Sequence, residues 1–142
     1  MKKFSLFFCA LLMLLFTACN SDLNYDEDWG IALAAKNPTA TSVTLVIAQS
    51  GGDPTGTLEY GAPFRIEEKT ESGWQEPKAA LTAWAMPAYG VEMNGKKKLK
   101  ISWEHIYGEL PPGDYRIAKE FTDFRAAGDY DTRTYYAEFT IK

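Results

Sequence analysis

The stretch WEHIYGELPPGDYRI, Trp103 to Ile117, decides how the chain is read. It closes one apolar strand, turns through Leu110-Pro111-Pro112-Gly113-Asp114 and opens another strand on Tyr115. Proline fixes its own φ and glycine, lacking a Cβ, admits backbone angles closed to other residues, so the segment makes a corner. Just upstream, Leu99, Ile101 and Trp103 alternate with Lys98, Lys100 and Ser102. A period of two puts the apolar side chains on one face of a strand and the polar ones on the other. The run Lys96 to Lys98 then reads as the solvated face and edge protection of that strand.

The same rhythm extends outward. Beyond the corner come a strand from Tyr115 to Phe121, a loop from Thr122 to Arg133, and a last strand in which Tyr135, Ala137, Phe139 and Ile141 alternate with Tyr136, Glu138 and Thr140. Toward the N-terminus, Thr41 to Gln49 (TSVTLVIAQ) places Val43, Leu45 and Ile47 on one face, in a run rich in the β-branched residues that suit a half-buried pleat. A strand from Trp29 to Ala34 precedes it and stops at Lys36-Asn37-Pro38-Thr39. After it, Ser50 to Gly56 forms a glycine-rich loop with no GK[ST] ending and no following helix, so a strand connection is expected and not a phosphate cradle. Leu58 to Tyr60 and Phe64 to Lys69 continue as strands around Gly61-Ala62-Pro63, with turns at Glu71-Ser72-Gly73 and Asn94-Gly95. Gln75 to Gly95 is the least legible segment.

Helical periodicity is nowhere sustained. About seven short antiparallel strands within residues 29–142 match the size and rhythm of an all-β, immunoglobulin-like β-sandwich. Leu110 to Tyr115 fits the tyrosine corner of such sandwiches, where the tyrosine hydroxyl bonds back to the preceding loop, and Trp103 is expected in the core. Cys9 and Cys19 are the only cysteines, so no disulfide is expected and an antibody-type Cys-Trp-Cys core is excluded.

Residues 1–18 carry Lys2 and Lys3 before an uncharged apolar run, FSLFFCALLMLLFTA, too short to span a bilayer comfortably and read as a signal peptide. Its end, Leu15-Phe16-Thr17-Ala18-Cys19, resembles the lipobox of bacterial lipoproteins, which implies acylation of Cys19 and an exported protein anchored to a bacterial membrane by its N-terminal lipid. An ordinary secretory signal cleaved near Ala18 is the alternative. Residues 19–28 are polar and acidic and read as a tether; a calcium site from Asp22, Asp26, Glu27 and Asp28 lacks the usual loop spacing. The formal charge of -4 falls to about -6 once Lys2 and Lys3 are removed, and a nucleic-acid partner is not expected of an acidic chain.

Three stretches carry a family resemblance: Gln49 to Gly61 (QSGGDPTGTLEYG), Trp103 to Arg125 (WEHIYGELPPGDYRIAKEFTDFR) and Tyr136 to Ile141 (YAEFTI). Together they resemble a bacterial Ig-like domain of secreted and lipid-anchored proteins. The resemblance covers about Thr41 to Ile141 and implies a β-sandwich accessory module, with no activity assigned to any residue.

A catalytic reading has little to use. His105 is the single histidine, near Ser102 with no visible oxyanion turn, and reads as a turn residue. No metal centre and no cofactor are expected, because a zinc site wants several His or Cys ligands. Asp123, Arg125, Asp129, Tyr130 and Asp131 lie in the predicted loop 122–133, as an acidic recognition loop, a calcium site or simply charges paired with Arg125 and Arg133. Four Trp and eight Tyr favour binding. Trp74, Trp84, Tyr89 and Tyr130 fall in or near predicted loops as candidate anchors, with Trp84 equally suited to the core. A non-catalytic module contacting a protein or glycan is the leading expectation. A protease inhibitor presenting the end loops Ser50 to Gly56 and Thr122 to Arg133 is the alternative.

Overall fold

The computed structural model describes residues 23–142. The strands are β1 (Ile31–Lys36), β2 (Ser42–Gln49), β3 (Thr57–Tyr60), β4 (Arg65–Thr70), β5 (Gly73–Gln75), β6 (Tyr89–Gly90), β7 (Lys96–Ser102), β8 (Gly113–Ala126) and β9 (Asp129–Ile141), with one helical turn, α1 (Glu104–Tyr107). All pairings are antiparallel, in a small sheet ordered β1-β2-β7 and a larger one in which β8 has β9 on one side and β3 and β4 in succession on the other. The two sheets face each other across one core, the sandwich the alternation predicts. The strands absent from the sequence reading, β5 and β6, are three and two residues long, too short to show a period.

Val43, Leu45 and Ile47 of β2 enter the core against Tyr115, Ile117 and Phe121 of β8 and Phe139 of β9. Trp103 and Tyr115 are both fully buried and both stack on Phe139, at centroid distances of 5.6 and 5.8 Å. The indole of Trp103 donates to Ala40 O at 2.9 Å, and the Tyr115 hydroxyl donates to Pro111 O at 2.6 Å. One aromatic stack therefore joins both ends of the 103–117 stretch to the last strand, and each polar tip is satisfied. His105 is exposed on α1, the turn that bends the chain out of β7.

The largest departure concerns residues 122–133. Read as a loop, they form the far half of the β8–β9 hairpin, and only Ala127-Gly128 make the turn, Gly128 at φ 77°. Their density of charge suggests a loop, but the charges are paired within the hairpin and its surroundings, and that is what lets the strands continue.

The N-terminal edge also differs in detail. Asp26, within the stretch read as tether, accepts from the backbone N–H groups of Trp29 and Ile31 at 3.1 and 2.7 Å. Arg133 pairs with Asp26 and Asp28 and lies over the Trp29 ring, 4.8 Å from its centroid. Asp26 is thus hydrogen-bonded into the fold and does not belong to a free tether. Cys19 lies outside the described residues. Among the described residues no helix is long and apolar enough to cross a membrane.

Candidate functional site

Register fixes what each outer face presents. On the larger sheet the outward residues of β8 are Arg116, Ala118, Glu120, Thr122 and Phe124, opposite Glu138, Tyr136, Thr134, Thr132 and Tyr130 of β9. Glu67 of β4 lies beside Arg116, and Trp74 of β5 lies beside Lys69. These positions bring three long side chains into one stack: the Arg116 guanidinium sits 4.5 Å from the Trp74 ring and 4.0 Å from the Tyr136 ring, while its Nε donates to Glu67 at 2.7 Å. Trp74 is half-buried on a strand and not on a loop. Tyr136 and Arg116 were not singled out as site residues by the sequence; only the β8–β9 register reveals that they meet.

At the other end of this face Phe124 and Tyr130 form a cross-strand pair, 38% and 55% exposed. Met86, 93% exposed, approaches them from the irregular segment before β6, and together with Glu59, Ala88 and Thr122 they line an open hollow of about 770 Å³. Large apolar side chains left in water at one place are the signature of a contact surface. Tyr89, on β6, leans instead on the buried Tyr60, with ring centroids 5.7 Å apart. Trp84 is half-buried and meets Phe64 edge-on at 5.1 Å, so it packs against the core and is not a free anchor.

The charged residues of the hairpin separate into two roles. Asp123 is 2% exposed, faces inward from β8, and accepts from the Thr55 and Gly56 N–H groups at 2.8 and 2.6 Å and from the Thr55 hydroxyl at 3.0 Å. It clamps the Ser50–Gly56 loop and is turned away from solvent. Burial alone raises its carboxyl, but the Thr55 and Gly56 donors and the Arg125 guanidinium hold it below the usual carboxylate range. Arg125 forms hydrogen bonds to Asp129 and Asp131, each at 2.9 Å, and to Thr55. Its guanidinium occupies the position between the carboxylates that a calcium ion requires, and no group of three metal-ligating side chains occurs among the described residues. Arg133 turns to Asp26 and Asp28 and not to this cluster.

Two buried polar side chains went unnoticed in the sequence. Gln49 donates to Trp29 O and Gly51 O and accepts from the Asn94 N–H, tying three loops at one end of the sandwich. Lys119, 2% exposed, donates to Gly61 O at 2.7 Å and Pro63 O at 3.1 Å, where the break between β3 and β4 leaves carbonyls without strand partners. Burial pushes its amine down to about 8. Its position gave the one signal, since Ile117, Lys119 and Phe121 share the inward face of a strand.

The end loops required for protease inhibition are held in these same networks. Asp123 clamps Thr55 and Gly56, Asp53 N–H donates to Asp28 O, and Gly30 and Gly52 pack so closely that a Cβ on Gly52 lies 2.4 Å from Gly30 N. A family model for the bacterial Ig-like domain matches residues 27–140, from the point where Asp26 and Asp28 are tied in to the last strand. No curated protein and no solved structure matches the chain.

Proposed function

The chain belongs to the bacterial Ig-like domain family, and from that membership, together with the lipobox-like Leu15 to Cys19, we propose that it is a non-catalytic binding module, exported and lipid-anchored through Cys19, that makes protein or glycan contacts at the cell surface. The observation that carries this reading is the hollow lined by Met86, Phe124 and Tyr130 on the outer face of the larger sheet. Ordered strands hold two of its three apolar side chains in water, so little side-chain freedom is lost on binding. Methionine adapts to irregular partner surfaces, and the Tyr130 hydroxyl adds a polar handle.

A photoreactive amino acid placed at Tyr130, with Lys69 as a control position, tests the reading in producing cells. A discrete adduct is expected from position 130 and its loss is expected with Phe124→Asp. Adducts from the control position alone remove the hollow as the contact site. Micromolar inhibition of serine or cysteine proteases by the purified protein, lost on changing the Ser50–Gly56 loop, puts the inhibitor reading in its place. For the anchor, Cys19→Ala is expected to release the protein from the membrane fraction.

A further inference from the structure

The outer face of the small sheet has a different chemistry. Its cross-strand rows are Lys36–Thr44–Lys100, Ala34–Val46–Lys98 and Ala32–Ala48–Lys96, with Ser42 and Ser102 at the end. Four exposed lysines therefore border a floor of Thr44, Val46 and three alanines, most of it buried, and no Asp or Glu stands on any of these rows. Among the described residues none of the four is within ion-pair distance of a carboxylate. Edge protection accounts for charge on β1 and β7, and for lysine in particular, but it does not require that a whole face carry charge of one sign. A face of one sign, in a chain with 19 acidic and 15 basic residues, calls for an anionic counterpart.

The chain itself indicates which one. Leu23 lies in a groove on this face with Ala34, Val46, Lys96 and Lys98. Cys19 is four residues upstream, and four extended residues reach at most about 14 Å. If Cys19 is acylated, this face is held beside the bilayer.

We propose that the outer face of the small sheet is a membrane-facing surface on which Lys36, Lys96, Lys98 and Lys100 dock to anionic lipid headgroups. The inference rests on the lipid-anchored reading of Cys19 and adds the orientation of the domain. Near an anionic surface each lysine contributes about a fivefold gain in partitioning, and the tether makes these contacts intramolecular. With this face toward the membrane, the opposite outer face of the sandwich, with the Met86–Phe124–Tyr130 hollow, is directed away from it.

The test uses acylated protein in vesicles carrying a headgroup energy acceptor, with a fluorophore on either Thr44→Cys or Thr132→Cys, one residue on each outer face. In phosphatidylglycerol mixed with phosphatidylcholine, position 44 is expected to transfer energy more efficiently than position 132. The difference is expected to vanish when all four lysines are changed to Gln, and to shrink as salt is raised. Equal transfer from the two positions, or stronger transfer from 132, overturns the proposal. A difference that persists in pure phosphatidylcholine or in the four-lysine variant overturns the ionic contact and leaves tether geometry as the cause. Cys19→Ala protein that stays in the membrane fraction denies the acyl anchor and not the face. In that event, cosedimentation of this protein with phosphatidylglycerol vesicles, lost in the four-lysine variant, supports the surface, and no cosedimentation overturns it.

Discussion

On the outer face of the larger sheet Arg116 is held between the Trp74 and Tyr136 rings and a Glu67 carboxylate, while on the small sheet Lys36, Lys96, Lys98 and Lys100 have no such partner among the described residues. Both faces arise from the same period-two alternation. The larger sheet also turns polar groups inward, with Asp123 clamping a loop and Lys119 capping a strand break, whereas the small sheet sends mainly apolar side chains into the core. The difference teaches that polar residues in this fold serve stability where neighbours satisfy them, and stand in solvent where, among the described residues, none does.

Four kinds of substitution probe that contrast. The largest loss is expected for Asp123→Ala, which removes the acceptor for two backbone N–H groups, a hydroxyl and the Arg125 charge. The cost is about 3 kcal/mol, read as a fall in the urea midpoint. The same network has a pH signature. Its folded carboxyl lies below the unfolded value of about 3.9, so it contributes stability that is complete above that value. That contribution is lost as pH falls from about 4 through the lower folded value. Asp123→Asn is expected to flatten the decline of the urea midpoint over this range, and an unchanged acid profile removes Asp123 as its source.

Next comes the direct comparison of the two faces. Arg116→Ala is expected to cost about 2 kcal/mol through the lost stack and ion pair, and Lys98→Ala to stay within about 0.5 kcal/mol. Equal losses in parallel thermal melts break the contrast. Tyr115→Phe removes one hydrogen bond, to Pro111 O, and is expected to cost about 1 kcal/mol while leaving any contact at the hollow unchanged. The smallest effect has the opposite sign. Thr44→Glu sets a carboxylate between Lys36 and Lys100 and is expected to stabilise by about 0.5 kcal/mol. Calorimetry showing destabilisation instead would mean that the lysines already have partners.

The fold was largely legible because burial repeats every second residue. Val43, Leu45 and Ile47, or Tyr115, Ile117 and Phe121, announce their face without reference to anything distant. The candidate site was much less so. The sequence points to Tyr130 as an anchor but not to Phe124, Met86, Arg116 or Tyr136, since cross-strand partners separated by many residues carry no local signal. The burial of Asp123 is hidden for a related reason: an aspartate in a charged stretch suggests solvent until its donors, Thr55 and Gly56, arrive from the other side of the sequence.

By itself, then, the sequence determined most of the strands, their inward faces, the proline-glycine corner and a domain whose residues 23–142 contain no cysteine. All of these depend on backbone preferences and on spacing along the chain. Only the tertiary structure decided that residues 122–133 are a hairpin, that Arg133 belongs to Asp26 and Asp28, that Lys119 closes a strand break, and that the two outer faces differ in charge. Pairing energies and unsatisfied polar groups depend on which strands become neighbours, and that is settled only when the sheets close on each other.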